Sequence, residues 1–342
     1  MNNLRKIGLS ALAGSMALAT SAQAFEASVA VESQAVFSSA QGNEAASEAS
    51  NGKGIGVDTD LYFNASGEID NGFTVAFFQA ANTDGAWSNS SSQVTIGMGG
   101  LGTLKVNNKS GAATNGIDDV MPAAYNETWD GLALSTDNPS FFGSSVASGS
   151  LTYSIPAQEM MGLTINASVD YDPAADVGST TAGGVNATTV SGTGYVLKVA
   201  HESGLEIGAG HEEIDNATAK SATSTAQNEK NATVYAKFSS GPFSIGVQEA
   251  YLNSANGAED NEATFWAVAY TSGDFSVSYG ESTLANASLN GSTVVEREME
   301  SLQATYTMGA MTLGAAMAET SNAGGTAGRT YEETELSLSF AF

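Results

Sequence analysis

The chain has 342 residues, of which 37 are acidic and 11 basic, and its formal net charge is −26. A surface this acidic repels nucleic acid and anionic lipid headgroups and attracts cations. The sequence contains no cysteine, which excludes a disulfide framework, a thiol nucleophile and a cysteine-based metal site.

The first 24 residues have the pattern of a secretory signal. Arg5 and Lys6 make a basic start, residues 7–18 form a short apolar segment, and Ala22-Gln23-Ala24 is a small-x-small cleavage site. The interpretation is a signal peptide over 1–24 and a single mature domain over 25–342. The mature chain then keeps all 37 acidic residues and loses two basic ones, so its net charge is 9 − 37 = −28. Since no later stretch offers about 18 consecutive apolar residues, a membrane-spanning mature chain would cross with strands.

Alternation of apolar and polar residues recurs along the mature chain and predicts sixteen β-strands. The last one places Leu336, Leu338, Phe340 and Phe342 on one face, and it ends on an aromatic residue at the C-terminal carboxyl. The predicted strands are 25–37, 53–66, 72–81, 92–99, 101–107, 148–155, 161–171, 192–202, 204–214, 230–239, 242–252, 263–271, 274–283, 297–308, 310–319 and 331–342.

The connections between these strands alternate between tight turns and long loops. Seven tight turns, among them Gly67–Asn71, Gly99-Gly100 and Ala157–Met160, alternate with eight long loops, the longest near 108–147. This segregation of loop length is typical of a transmembrane antiparallel β-barrel of the bacterial outer membrane. Closure requires the first strand to pair with the last, because open edges are costly in lipid, and sixteen strands leave an aqueous lumen.

The phase of the alternation predicts which side chains face that lumen. Charged residues fall mainly on the phase opposite the apolar one, and Glu249 is an exception on the apolar phase. The predicted charged residues of the lumen wall are Lys105, Lys198, Lys237, Arg297, Asp58 and Asp60, with Lys53 nearby.

The connector 108–147 is far longer than the usual structureless loop of about 12–15 residues and carries much apolar surface. Such a loop should pack against something. If it folds inward, Tyr125 and Trp129 anchor it to the wall, and its carboxylates are presented to the water of the pore. An external solvated loop is the alternative. The candidate acidic residues of the constriction are Asp118, Asp119, Glu127 and Asp130.

The segment Gly-Ile-Asp-Asp-Val-Met-Pro-Ala-Ala-Tyr-Asn-Glu-Thr-Trp-Asp-Gly, which ends at Gly131, resembles the third loop of trimeric general porins of the alphaproteobacterial, Rhodobacter-like type. The loop follows the fifth predicted strand, as in that family, and the signal, the strand number and the terminal Phe342 extend the resemblance over the whole chain. The resemblance implies a homotrimer of water-filled pores, each narrowed by the third loop with acidic groups opposite a basic cluster. It also implies structural calcium at Asp118, Asp119 and Asp130, and no required cofactor.

The sequence offers few basic residues for the lumen wall, because no arginine lies between Arg5 and Arg297. The leading hypothesis is an outer-membrane porin through which small hydrophilic solutes and ions diffuse passively, with a preference for cations. Its expected partner is outer-membrane lipid, and no nucleic-acid partner is expected. A substrate-specific porin and a barrel surface protein (adhesin or phage receptor) without channel activity are the alternatives. An enzyme is not expected, since the only two histidines, His201 and His211, lie about 16 Å apart on neighbouring predicted strands.

Overall fold

The computed structural model describes residues 14–16, 25–43, 52–82, 88–128, 139, 142–143, 146, 149–173, 191–215, 228–253, 259–288 and 295–342. These residues form one closed antiparallel β-barrel. Its strands are β1 Gly14–Met16, β2 Glu26–Gly42, β3 Gly52–Glu68, β4 Thr74–Asn82, β5 Ser88–Gly97, β6 Thr103–Asn108, β7 Leu151–Ser154, β8 Gln158–Met160, β9 Leu163–Asp172, β10 Ser191–His201, β11 Leu205–Asp215, β12 Glu229–Ser240, β13 Phe243–Asn253, β14 Glu259–Ser272, β15 Phe275–Ser288, β16 Arg297–Met308, β17 Met311–Ser321 and β18 Thr330–Ala341. No helix in this part of the chain has the length and apolar character needed to cross a lipid bilayer.

Seventeen of these segments, β2 to β18, make sixteen wall strands. β7 and β8 both pair with β9 and are two parts of one wall strand. The short β1 pairs with Ala27–Val29 of β2 and adds no wall position. The prediction of a sixteen-strand barrel is therefore confirmed. Several strands are longer than predicted, since β2 runs to Gly42 and β15 to Ser288, so the pairing continues into segments predicted as loops.

One predicted turn is wrong. The sequence suggested a tight turn over Ala157–Met160, but Gln158–Met160 is a strand segment in register with Leu163–Ile165. The turn is instead the dipeptide Met161-Gly162, and both residues have positive φ, 53° and 78°. Two consecutive left-handed residues make the hairpin turn that matches strand twist. The apolar Met161 hid this turn from a search for polar turn residues.

The barrel closes between the first and last wall strands, as predicted. β18 pairs with β2 from Tyr331↔Gly42 to Ala341↔Glu32. The pairing ends on two backbone hydrogen bonds between Phe342 and Val31. The Val31 amide donates to the Phe342 carbonyl at 3.0 Å, and the Phe342 amide donates to the Val31 carbonyl at 2.9 Å. The C-terminal residue therefore completes the seam.

Deletion of Phe342 is expected to impair barrel assembly. The deletion removes both terminal hydrogen bonds of the seam, worth about 1 kcal/mol each, and an aromatic ring that stacks on Phe340 at 6.1 Å between centroids. The measurement is the fraction of outer-membrane protein that migrates as the folded, heat-modifiable form. Phe342→Trp, which keeps the backbone and an aromatic ring, is the control, and wild-type levels of the deletion variant would contradict the prediction.

The outward phase of the wall is apolar at most positions, with exposed side chains such as Leu197, Val247, Leu302 and Leu336. An exception is a row of glutamates in direct register across four strands. The row is Glu281↔Glu300, Glu300↔Glu319 and Glu319↔Glu332.

Two glutamates of this outward row, Glu281 and Glu300, are hydrogen-bonded to neighbouring side chains of the wall. The Trp266 indole donates to Glu281 at 2.9 Å, and the Tyr279 hydroxyl is 2.6 Å from both Glu281 and Glu300. The outward face therefore carries negative charge where parity alone predicted apolar residues.

Candidate functional site: the third loop and the lumen wall

The third loop follows β6, and its described part, residues 109–128, crosses the inner face of the barrel. It contacts inward-facing side chains of strands from β9 around to β2. The hydrophobic core of the molecule lies between this loop and the wall, where Ile117, Met121 and Phe142 pack with Tyr235 and Phe265. The inward-folded loop is confirmed, and the external solvated loop is excluded for this segment.

The loop is fixed first by two buried carboxylates. The Asp170 side chain on β9 accepts hydrogen bonds from the amides of Ala113 and Thr114 at 3.0 and 2.8 Å, and from the Thr114 hydroxyl at 3.0 Å. Glu212 on β11 accepts from the Gly143 amide at 3.0 Å. Asp170 satisfies amides at the start of the 3₁₀ helix Thr114–Ile117 that would otherwise lack partners.

A second attachment is made by Gln248 on β13. Its side-chain oxygen accepts from the Val120 amide at 3.1 Å, while its nitrogen donates to the carbonyls of Ile117 and Asp118 at 3.0 and 2.9 Å. The side chain is buried. One wall residue thus satisfies donors and acceptors on both sides of the turn at Asp118.

A third attachment lies on the next strands of the wall. The Gln303 oxygen on β16 accepts from the amides of Tyr125 and Asn126 at 3.0 and 2.9 Å. Ser278 on β15 accepts from the Ala124 amide at 2.8 Å. Buried loop amides are therefore paired with wall side chains, as burial away from water requires.

Tyr125 attaches the loop to the seam between β18 and β2. Its hydroxyl donates to Glu335 on β18 and accepts from the Gln34 amide on β2 at 2.5 Å. Burial and the adjacent Glu335 carboxylate raise the pKa of the Tyr125 hydroxyl above its ordinary value, so it remains a neutral donor. Tyr125 thus makes the wall contacts expected of an anchor, while Trp129 lies outside the described residues.

A series of inward glycines leaves room for the loop. A β-carbon added at Gly210 would lie 2.6 Å from Ile117 Cδ1 and from Phe142 Cζ, and one at Gly246 would lie 3.0 Å from Met121 Cε. Distances this short are not tolerated in packed interiors. Gly194, Gly280 and Gly314 likewise lie against loop or wall side chains. The glycines thus allow the loop to lie directly on the wall, on strands β10, β11, β13, β15 and β17.

The predicted acidic residues of the constriction have different surroundings. Asp118 is partly exposed, whereas Asp119 and Glu127 are only 4% and 5% exposed. Asp119 Oδ1 accepts from the Met121 amide at 2.8 Å. Burial of these two side chains differs from the expectation that the loop presents its carboxylates to water, because the apolar loop residues pull this segment onto the wall. Asp130 lies outside the described residues.

The predicted calcium site of the loop includes Asp130, which lies outside the residues that the structure describes. Asp118 Oδ1 accepts from the Asp119 amide at 3.0 Å, and Asp119 Oδ1 is used by Met121. Within the described ranges, no group of three or more acidic, histidine or cysteine side chains could hold a metal ion. A calcium site at Asp118, Asp119 and Asp130 stays a prediction, since Asp130 lies outside those ranges.

An acidic sector lies on the inward phase of β18, β2 and β3. Asp58 is in register with Gln34, whose side chain reaches the loop, so Asp58 and Asp60 share the inward phase. Glu32 is in register with Asp60, and the Tyr62 hydroxyl is 3.2 and 3.3 Å from these two carboxylates. The acidic sector comprises Glu32, Asp58, Asp60, Glu333 and Glu335.

Two lysines occupy the side of the lumen opposite the acidic sector. β11 is the eighth wall strand from β2 in either direction around the barrel, and Lys198 and Lys237 lie on its two neighbours. Lys237 pairs with Glu206 at 3.0 Å. Lys105 lies on β6, in register with Thr152. Arg297 is buried on the inward phase of β16, apart from these lysines.

Sequence reasoning missed the wall residues that hold the loop and three of the five residues of the acidic sector. Glu32, Glu333 and Glu335 lie on the polar phase of the first and last strands, so the parity that placed Asp58 could have placed them. Gln248 and Gln303 carry no such signal, because a neutral polar residue on the inward phase of a barrel is ordinary.

Three similar solved structures share this fold. The trimer form of OmpT from Vibrio cholerae is 12% identical and has a TM-score of 0.61, with 92% of this chain and 99% of that chain covered. The anion-selective porin from Comamonas acidovorans is 12% identical with a TM-score of 0.62, covering 92% and 100%. A mutant porin of Rh. blastica is 15% identical with a TM-score of 0.56, covering 92% and 100%. These likenesses show the fold and do not single out an alphaproteobacterial type.

A comparison with curated proteins finds no match. The family model of Gram-negative porins matches residues 8–296, which is most of the chain. The matched range includes the third loop and every wall strand up to the start of β16. The chain therefore belongs to the Gram-negative porin family.

Proposed function

We propose that the protein forms a water-filled channel in the bacterial outer membrane, through which small hydrophilic solutes and ions diffuse passively with a preference for cations. A closed barrel of this size encloses an aqueous lumen. The third loop, bonded to the inner wall over most of its described length, would narrow that lumen. We expect no enzymatic activity.

The observation that carries the cation preference is the acidic sector. Five inward carboxylates lie on three adjacent strands, and the lysines that face them across the lumen are fewer. One of those lysines, Lys237, is paired with Glu206. Fixed negative charge in a low-dielectric wall raises the local concentration of cations. An anion-selective porin shares this fold, so the fold alone does not decide whether cations or anions are preferred. The charged side chains of the lumen therefore decide it.

We also propose that the chain is exported with residues 1–24 as a signal peptide and assembles as a homotrimer in contact with outer-membrane lipid. Support for the trimer comes from the family and from the trimer form of Vibrio cholerae OmpT. Cross-linking and mass measurement in mild detergent test it, and a protein that is only monomeric would remove this part of the proposal.

The reversal potential of the wild-type channel in a KCl gradient tests the function. We expect stepwise conductance in planar bilayers and a reversal potential of the sign for K⁺ preference. The preference should weaken as salt rises, because charges are screened within about 10 Å at 0.1 M. Anion preference in dilute KCl would refute cation selectivity. A barrel that inserts without conductance would favour the adhesin or phage-receptor alternative.

A further inference from the structure

A polar recess lies between the start of the third loop and the wall strands β6, β7, β9 and β10. Its volume is about 430 Å³, and a single water needs only about 15 Å³. Its roof is the loop segment 111–116. The wall side chains that line it are the apolar Val196 and the polar Lys105, Lys198, Asn166, Thr152, Ser154 and Ser168. We call it the Lys105–Lys198 recess.

The lining of the recess favours a negatively charged group. Lys105 and Lys198 supply ammonium donors, and the amide of Asn166 and the nearby hydroxyls supply neutral donors. No aspartate or glutamate belongs to the lining formed by the described residues. In a chain with 37 acidic residues, a cavity with two lysines and no carboxylate is distinct from the rest of the lumen.

Two carboxylates of the described residues lie near the recess, and both are bonded to other groups. Glu206 on β11 interacts electrostatically with Lys198 but forms its ion pair with Lys237, at 3.0 Å. Asp170 is in register with Thr152, but its oxygens accept from the Ala113 amide, from the amide and hydroxyl of Thr114 and from the Thr152 hydroxyl. Asp170 therefore holds the roof in place. In the described part of the chain, Lys105 forms no ion pair.

We propose that the Lys105–Lys198 recess binds one small oxyanion, the phosphate or carboxylate group of a permeating solute. The inference rests on the proposed channel function and adds a solute class to it. Two ammonium groups and neutral donors around one site give short, charge-assisted hydrogen bonds to such a group. The recess gives anionic solutes a local site in a lumen whose overall charge disfavours them.

Binding of inorganic phosphate and of acetate to the purified folded protein in detergent tests the proposal. Line broadening of the phosphorus signal reports phosphate, and calorimetry reports both probes. We expect at least one probe to bind, and Lys105→Gln combined with Lys198→Gln to weaken that binding roughly tenfold or more. Binding of phosphate alone or acetate alone identifies which group the site takes.

Lys230→Gln is the matched control, because Lys230 lies on the outward phase of β12, where it pairs with Glu213 at 3.5 Å. It removes one lysine charge outside the lumen, against two in the double variant, and should leave probe binding unchanged. Absence of binding by both probes, binding that the double variant retains, or equal loss in the control would overturn the proposal. A channel that conducts KCl with cation preference but binds neither probe would leave the proposed function standing and refute the recess alone.

Discussion

Deletion of residues 117–131 is expected to raise single-channel conductance about twofold or more, because conductance follows the radius at the narrowest part of a channel. The deleted segment includes the amides bound by Gln248 and Gln303 and the Tyr125 hydroxyl bonded to Glu335, so of the attachments described only those at Asp170 and Glu212 remain. Planar-bilayer recording in KCl measures the effect. Unchanged conductance in a folded variant would show that the loop is not the constriction.

A second variant tests the same loop without shortening the chain. Gly210→Leu places a side chain where Ile117 and Phe142 lie against the wall, which should displace the loop and change conductance or its noise. Gly56→Leu is the control, because no atom lies within 4 Å of a β-carbon at that position. Equal behaviour of the two leucine variants would argue against loop displacement.

Neutralisation of the acidic sector is expected to lower the ratio of K⁺ to Cl⁻ permeability by about tenfold. Fixed wall charge can raise the local concentration of counter-ions by a factor of this order. The variant combines Glu32→Gln, Asp58→Asn, Asp60→Asn and Glu333→Gln. Glu335 is left unchanged because it holds Tyr125. The reversal potential in a dilute KCl gradient measures the change, which should shrink in concentrated salt.

The outward glutamates provide a control with the same change in charge. Replacement of Glu298, Glu300, Glu319 and Glu332 by glutamine also removes four charges, but these residues lie on the outward phase of β16, β17 and β18. If selectivity depends on lumen charge, this variant keeps the wild-type reversal potential. Equal effects of both quadruple variants would mean that net charge, and not the acidic sector, sets the selectivity.

The strand number and the closure of the barrel were readable from the sequence because both depend on local patterns. A period of two marks a strand with two different faces, and a strand in lipid must pair on both edges. The last strand shows this directly, since Leu336, Leu338 and Phe340 alternate with Glu335, Ser337 and Ser339, and their pairing with β2 follows from closure. The inward phase of Asp58 and Lys198 follows from the same parity.

The path of the third loop was decided only by the tertiary structure. Its bonds join residues far apart in sequence: Val120 and Gln248 are separated by 128 positions, and Tyr125 and Glu335 by 210. Asp119 and Glu127 are buried for the same reason, because the loop's apolar residues and unpaired amides find their partners on distant strands. Alternation specifies which face a side chain takes on its own strand. Which distant side chains meet depends on closure of the barrel, and burial of loop amides then makes those contacts obligatory.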